Sequence, residues 1–270
     1  MLIYTGFHTS CRRCDMTHVP WPLRDVTLKV LNLPLQSEFY QEFGLQLLDR
    51  SDRHATFAAG DARLRLKLLI NGEHRPPRTA GLFHFALLLP DRPALGSFLR
   101  YAQAKPWQFV GAADHLVSES LYFSDPEENG IEVYADRPAD SWQWNDGRIS
   151  MATLPLDLSE MARSSGPEWQ GFPPGSRLGH MHLTVGDLNR SQAFYEKLGL
   201  RLTLDWGAFR FLAWDGYHHN LAINLVEGRN SAAVTEKISG LESFSIEHEE
   251  MRQDSVDPNG IQLQSLANPR

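Results

Sequence analysis

The sequence predicts an α+β chain built from four copies of one strand–helix–strand–strand–strand (βαβββ) unit, the fourth of them truncated. Two internal repeats carry this reading. "VLNLPLQSEFYQEFGL" (Val30 to Leu45) and "VGDLNRSQAFYEKLGL" (Val185 to Leu200) agree in spacing. Each has a Val, a Leu three residues on, Phe-Tyr nine and ten on, and Gly-Leu starting five residues after the Phe. The second repeat links "DPEENGIEV" (Asp125 to Val133) with "DPNGIQL" (Asp257 to Leu263), both turn-to-strand endings in which Pro and Gly set the turn.

Each opening repeat reads as a strand, a polar turn, a helix with Phe-Tyr on its inner face, and a Gly C-cap. Unit one runs from Asp25 to about Ile70, and unit two from Leu82 ("LFHFALLLPD") to Tyr134. Unit three runs from Leu178 ("LGHMHLTVGDL") to about Val226. Unit four, Leu241 to Leu263, is too short for a helix and middle strands. Residues 136–176, rich in Pro, Ser, Gly and Trp, read as a connector with a short helix around Leu156 to Ala162. The expected organisation is an unstructured arm (1–24), a first two-unit domain (25–135), the connector (136–176) and a second domain (177–270).

Composition narrows the function classes. An apolar content of 42% with 22% charged residues suits a globular protein with a sizeable core. A net charge of -7 without clustered Lys or Arg argues against a nucleic-acid surface. Apolar runs such as Phe83 to Leu89 fall far short of the ~20 residues a membrane span needs. His8, Arg12, Arg13 and Asp15 stand where a signal peptide is apolar, so a cytoplasmic protein is expected. Cys11 and Cys14 form a CxxC in a polar stretch before the first strand, which favours an arm over a redox motif.

Three polar residues occupy strands that are otherwise apolar: His84 in "LFHFALLL", Glu132 in "GIEVY" and His180 in "LGHMHL". Setting "LFH" on "LGH" makes His84 and His180 equivalent in their units. Taken singly, each has an ordinary explanation: a hydrogen-bonded core histidine, or a carboxylate on a solvated face. His182 shares a strand face with His180, but the repeat favours His180. His218 and His219 point to opposite faces, so at most one of them enters a common site.

The units and the segments "DHLVSESLYFSDP", "NGIEVYADRP", "GHMHLTV" and "GYHHNLAIN" resemble the vicinal oxygen chelate superfamily, which holds glyoxalases, bleomycin-resistance proteins and extradiol dioxygenases. Within it they resemble the catechol 2,3-dioxygenase group. The resemblance implies units paired into two cupped mixed sheets, with metal ligands from opening strands and one closing strand. On that alignment units three and four offer His180, Ser243 and Gln262, and units one and two offer Asp25, His84 and Glu132. Units two and three offer His84, His180 and Glu132, the two-His, one-carboxylate set of non-haem Fe(II) sites. Units two and three are therefore expected to form the active cup, with units one and four as the supporting half.

The resemblance further implies His218 as the acid–base histidine and Tyr122 as the tyrosine that hydrogen-bonds a substrate oxygen, with His115 near a further histidine position. It implies Fe(II), with Mn(II) as the alternative, and ring opening of a small aromatic diol by O2. The alternatives are a glyoxalase-like isomerase or lyase and a non-catalytic binder of aromatic ligands. A homo-oligomer is compatible with the exposed edges of such sheets.

Overall fold

The computed structural model describes residues 21–266. Residues 1–20, with Cys11, Cys14 and most of the expected arm, lie outside the described residues. Unit one comprises β1 (Leu23–Val30), α1 (Leu33–Glu42), β2 (Gln46–Arg50), β3 (His54–Ala59) and β4 (Ala62–Leu68). Unit two comprises β5 (Gly81–Leu89), α2 (Arg92–Ala102), β6 (Gln108–Asp114), β7 (Ser118–Ser124) and β8 (Gly130–Asp136). The connector carries a small hairpin, β9 (Trp144–Asn145) and β10 (Arg148–Ile149), and then α3 (Leu158–Arg163). Unit three comprises β11 (Arg177–Thr184), α4 (Leu188–Glu196), β12 (Arg201–Asp205), β13 (Phe209–Ala213) and β14 (Leu221–Asn224). Unit four keeps β15 (Gly240–Ile246), a two-residue β16 (Ser255–Val256) and β17 (Gln262–Ser265), without a helix.

The chain is α+β, as expected, with two large mixed sheets. One runs β16-β17-β15-β1-β4-β3-β2 and joins units four and one; the other runs β12-β13-β14-β11-β5-β8-β7-β6 and joins units three and two. In each, two opening strands pair antiparallel at the centre, and each opening strand has its own unit's closing strand parallel beside it. Each of the consecutive stretches 25–135 and 177–270 thus gives one unit to each sheet, so neither is a sheet-complete domain. The first strand opens at Leu23, inside the stretch expected to be an arm, because Leu23 is buried and paired with Ile246.

Consecutive units meet through their helices instead. Tyr40 of α1 donates from its hydroxyl to Asp125 (2.8 Å) in the closing turn of unit two, and Tyr195 of α4 donates to Asp257 (3.1 Å) in that of unit four. Each aspartate also accepts backbone N–H groups of its own turn, from Glu127 and Asn129 in one case and Asn259 and Ile261 in the other. The repeated Tyr and Asp are therefore two ends of one device. The unit helices start alike, with Asn32, Asp91 and Asp187 capping α1, α2 and α4 through a side-chain oxygen. Gly44 and Gly199 end α1 and α4 with φ of 103° and 89°, where a Cβ is strained.

Strand alternation then sorts the residues. Phe85, Leu87 and Leu89 of β5, Ile131, Val133 and Ala135 of β8, and Met181 and Leu183 of β11 join a core shared with the other sheet and the helices. The intervening residues face the concave side: His84, Ala86 and Leu88; Glu132, Tyr134 and Asp136; His180 and His182. Of the three connector tryptophans, Trp169 belongs to the core, Trp144 is exposed, and Trp142 packs on Tyr217 and His218 over the cup. No helix among the described residues is long and apolar enough to cross a membrane.

Candidate metal centre and its cavity

The register of the central strands brings the candidate ligands together. Ala86 stands beside Glu132 on one side and opposite His180 on the other, while His84 is opposite His182. The methyl side chain of Ala86 leaves the space into which Glu132 and His180 lean. Register shifts on β11 on either side of His180 and His182 adjust their aim. His84 Nε2 lies 2.9 Å and His180 Nε2 3.0 Å from Glu132 Oε2, and the two Nε2 atoms are 3.3 Å apart. Among the described residues this is the one group of three or more metal-ligating side chains brought together. The equivalent residues of the other sheet do not converge: Asp25 bonds to Ser245, and Gln262 is exposed.

The donor set fits a divalent cation. Two ligands about 2.1 Å from an ion and at right angles are about 3.0 Å from each other, close to the spacings seen. Burial acts to raise the Glu132 carboxyl, but the His180 and His84 rings beside it outweigh burial and hold it well below the usual carboxylate range. Burial lowers His180, against the pull of Glu132. His180 and Glu132 thus tend towards neutral imidazole and carboxylate, the protonation states that bind metal. Among the described residues the buried Nδ1 of His180 has no hydrogen-bond partner, and that ring packs against Tyr134 (5.0 Å between centroids) and His219 (4.2 Å).

His182 is close to His84 but otherwise engaged. Asn224 of β14 accepts from Thr184 and from the backbone of Val226, so its amide nitrogen is the atom that faces His182 Nε2 at 3.0 Å. That nitrogen of His182 accepts a hydrogen bond and has no lone pair left for an ion.

Tyr122, directly opposite Glu132 on β7, lines the same cavity. Burial, and then the charge of Glu132, keep its hydroxyl protonated well beyond the usual tyrosine range. His115 donates from Nδ1 to the Ala152 carbonyl (2.7 Å), which leaves its Nε2 to accept from Tyr122 (2.7 Å).

The expectation for His218 needs correction, because His219 is the residue that lines the cavity. His218 is wholly buried, its Nε2 faces Asp136 (2.9 Å), and its Nδ1 faces Nδ1 of His219 (2.7 Å). Both precede β14, in an irregular segment where strand alternation does not tell which of two neighbours faces inward. Sequence reasoning also passed over the walls of the cavity. Phe83, Met151, Trp206, Phe209 and Phe211 enclose a volume of about 310 Å³, with Phe83 and Trp206 exposed at its rim. Asp136 was legible in principle, since it follows Glu132 by four residues on the same face of β8.

Comparison with known proteins agrees with this architecture. Residues 26–133 match the Glyoxalase/Bleomycin resistance protein/Dioxygenase superfamily. A protein of Bacillus subtilis (strain 168) named catechol-2,3-dioxygenase is 36% identical over 239 residues, which cover 85% of this chain and 82% of that protein. Among solved structures, a putative dioxygenase from Bacillus subtilis subsp. subtilis str. 168 is similar with a TM-score of 0.58 at 12% identity, over 92% of this chain and 85% of the other. Glyoxalase I from Zea mays is similar with a TM-score of 0.51 at 15% identity, over 91% and 92% of the two chains. At these identities the two structures speak for the fold alone. The repeated units, the paired sheets and the relative that spans most of its length together make this chain a member of the glyoxalase/bleomycin resistance protein/dioxygenase superfamily.

Proposed function

We propose that the protein is an extradiol ring-cleaving dioxygenase that acts on an uncharged catechol with Fe(II) held by His84, Glu132 and His180. The observation that carries this reading is the convergence of two imidazoles and one carboxylate at the floor of an aromatic-walled cavity that also holds Tyr122 and His219. The name of the 36% identical relative supports the same reaction class. A bound divalent iron would supply Lewis acidity and open positions where a diol and O2 are held together.

The chain's own residues do the rest. His84 and His180 as neutral ligands would contribute no charge and Glu132 one negative charge, so a divalent ion held there would keep a net positive charge that favours an ionised diol oxygen. His219 takes the proton that the diol loses and returns it later, a role imidazole fills near neutral pH. Tyr122 stays protonated; its single O–H rests on His115 and turns to a substrate oxygen when the diol is bound. Phe83, Phe209, Phe211 and Trp206 hold the ring by its faces and keep water out, so both carbons that must react are presented in one orientation.

The test is O2 uptake by protein loaded anaerobically with Fe(II) and then given catechol. Rapid uptake with a yellow ring-opened product is expected, as is no uptake by Glu132→Ala. Tight iron binding without uptake would count against ring cleavage and favour an oxygen-independent isomerase or lyase on the same ligands.

A further inference from the structure

The cup holds more than one cavity. Past Tyr134 its concave side opens into a second pocket of about 210 Å³, lined in part by Trp21, Asp136, Trp142, Arg177 and Tyr217. Asp136 sits at the end of two hydrogen-bonded chains that run from the metal-site side towards this pocket. In the first, His219 Nδ1 meets His218 Nδ1 at 2.7 Å, and His218 Nε2 meets Asp136 Oδ1 at 2.9 Å. In the second, the Tyr134 and Tyr217 hydroxyls are 2.8 Å apart, and Tyr217 is 2.9 Å from Asp136 Oδ2.

A carboxylate can only accept, and that fixes the direction of both chains. Tyr217 donates to Asp136, so Tyr134 donates to Tyr217. His218 likewise must present Nε2–H to Asp136. With one proton on that ring its Nδ1 is bare, and it can only accept from Nδ1–H of His219. The remaining nitrogen of His219, Nε2, is then a bare lone pair on a residue that lines the metal-site cavity, without a hydrogen-bond partner among the described residues. A histidine that is to receive a proton from substrate needs that tautomer and no other.

We propose that Asp136 and His218 form a positioning dyad that holds His219 in its Nδ1–H tautomer with Nε2 bare towards the substrate. This rests on the reading of His219 as the proton acceptor of ring cleavage. The dyad differs from the serine-hydrolase arrangement, where one carboxylate orients one histidine; here a second imidazole is interposed and carries the polarity across to the far pocket. Asp136 is four residues from Glu132 along β8, and neither it nor His218 belongs to the ligand set. The carboxylate is accordingly a lever on tautomer rather than on metal.

The deciding variant is Asp136→Asn. It preserves shape and a hydrogen bond, but its amide can donate to His218 Nε2, which moves the His218 proton to Nδ1 and leaves His219 with Nε2–H. The expected result has three parts. Histidine ¹⁵N NMR of the metal-free protein shows Nδ1–H on His219 in the native chain and Nε2–H in the variant. Iron content stays at the native level. The kcat for ring cleavage falls by roughly 10²- to 10⁴-fold, the span general acid–base groups contribute, with KM within a few-fold of native. A variant that keeps the native tautomer and a kcat within twofold of native overturns the proposal, since an isosteric amide satisfies any merely structural role. Should the native protein show no ring cleavage, the reading of the reaction fails while the NMR signals still decide the dyad on their own.

Discussion

Tyr122 Oη and His115 Nε2 lie 2.7 Å apart, with the hydroxyl as the donor. Because His115 is itself anchored on the Ala152 carbonyl, it fixes where the Tyr122 oxygen stands before any substrate arrives. Tyr122→Phe removes the donor and leaves the ligand trio untouched. It should lower kcat by roughly 10- to 10²-fold, the worth of one buried hydrogen bond to a charged group, with iron content unchanged. Steady-state kinetics beside metal analysis check this. His115→Gln should fall in the same direction by less, because the tyrosine keeps its proton but loses its anchor.

The walls of the metal-site cavity make a prediction about substrate charge. Among the described residues no Lys or Arg lines it, and Glu132 is the carboxylate on its floor. A ring substituent bearing a carboxylate would be desolvated without a partner, at a cost of several kcal/mol unless it reaches solvent. Catechols with alkyl or aryl substituents, which can lie against Phe83 and Trp206 at the rim, should therefore exceed their carboxylated counterparts in kcat/KM by more than about 10²-fold. A substituent series at fixed O2 measures the ratio.

Acid should weaken the metal-free fold through its buried histidines. Burial holds His182 and His219 well below the ordinary histidine value of 6.5. As pH falls through about 6.5 the unfolded chain takes up protons at these rings and the folded chain does not. The unfolded state then binds more protons, so stability is full above about pH 6.5 and declines below it, by up to ~1.4 kcal/mol per pH unit per ring. Urea unfolding at several pH values between about 7.5 and 5 should show the decline, and His182→Gln should make it shallower.

The repeated Tyr–Asp link can be weighed twice in one molecule. Tyr40→Phe and Tyr195→Phe each remove a buried donor from an aspartate whose turn still supplies backbone N–H groups. Each should cost about 1–2 kcal/mol. The two should add, since they join different pairs of units. Chemical denaturation of both single variants and the double variant gives the comparison.

The convergence of His84, Glu132 and His180 was legible in the sequence because repeat equivalence, read through the family resemblance, puts them on neighbouring strands. Strand alternation and repeat equivalence assign a face, and ligand chemistry then selects units two and three. The choice of His219 over His218 was not legible, because it turns on the path of an irregular segment before β14. The dismissal of His182 as a ligand depends on Asn224, whose neighbourhood is made by the parallel pairing of β11 with β14. The opening of β1 at Leu23 was missed for a similar reason, its partner lying at the other end of the chain in β15.

That last pairing bears on how the protein is made. The strands that join β1 to β15 include residues 220 apart in sequence, Asp25 and Ser245, whereas β5 and β11 draw on residues far closer together. During synthesis the sheet that carries the ligands can close while unit four is still inside the ribosome, and β1 must wait with an unpaired edge. Contacts between such distant parts of a chain are slow to form and expose sticky edges meanwhile. The late-closing sheet is thus the one whose edge stays open longest in the nascent chain, and a premature stop before Gly240 would strand β1 with no partner strand on that side.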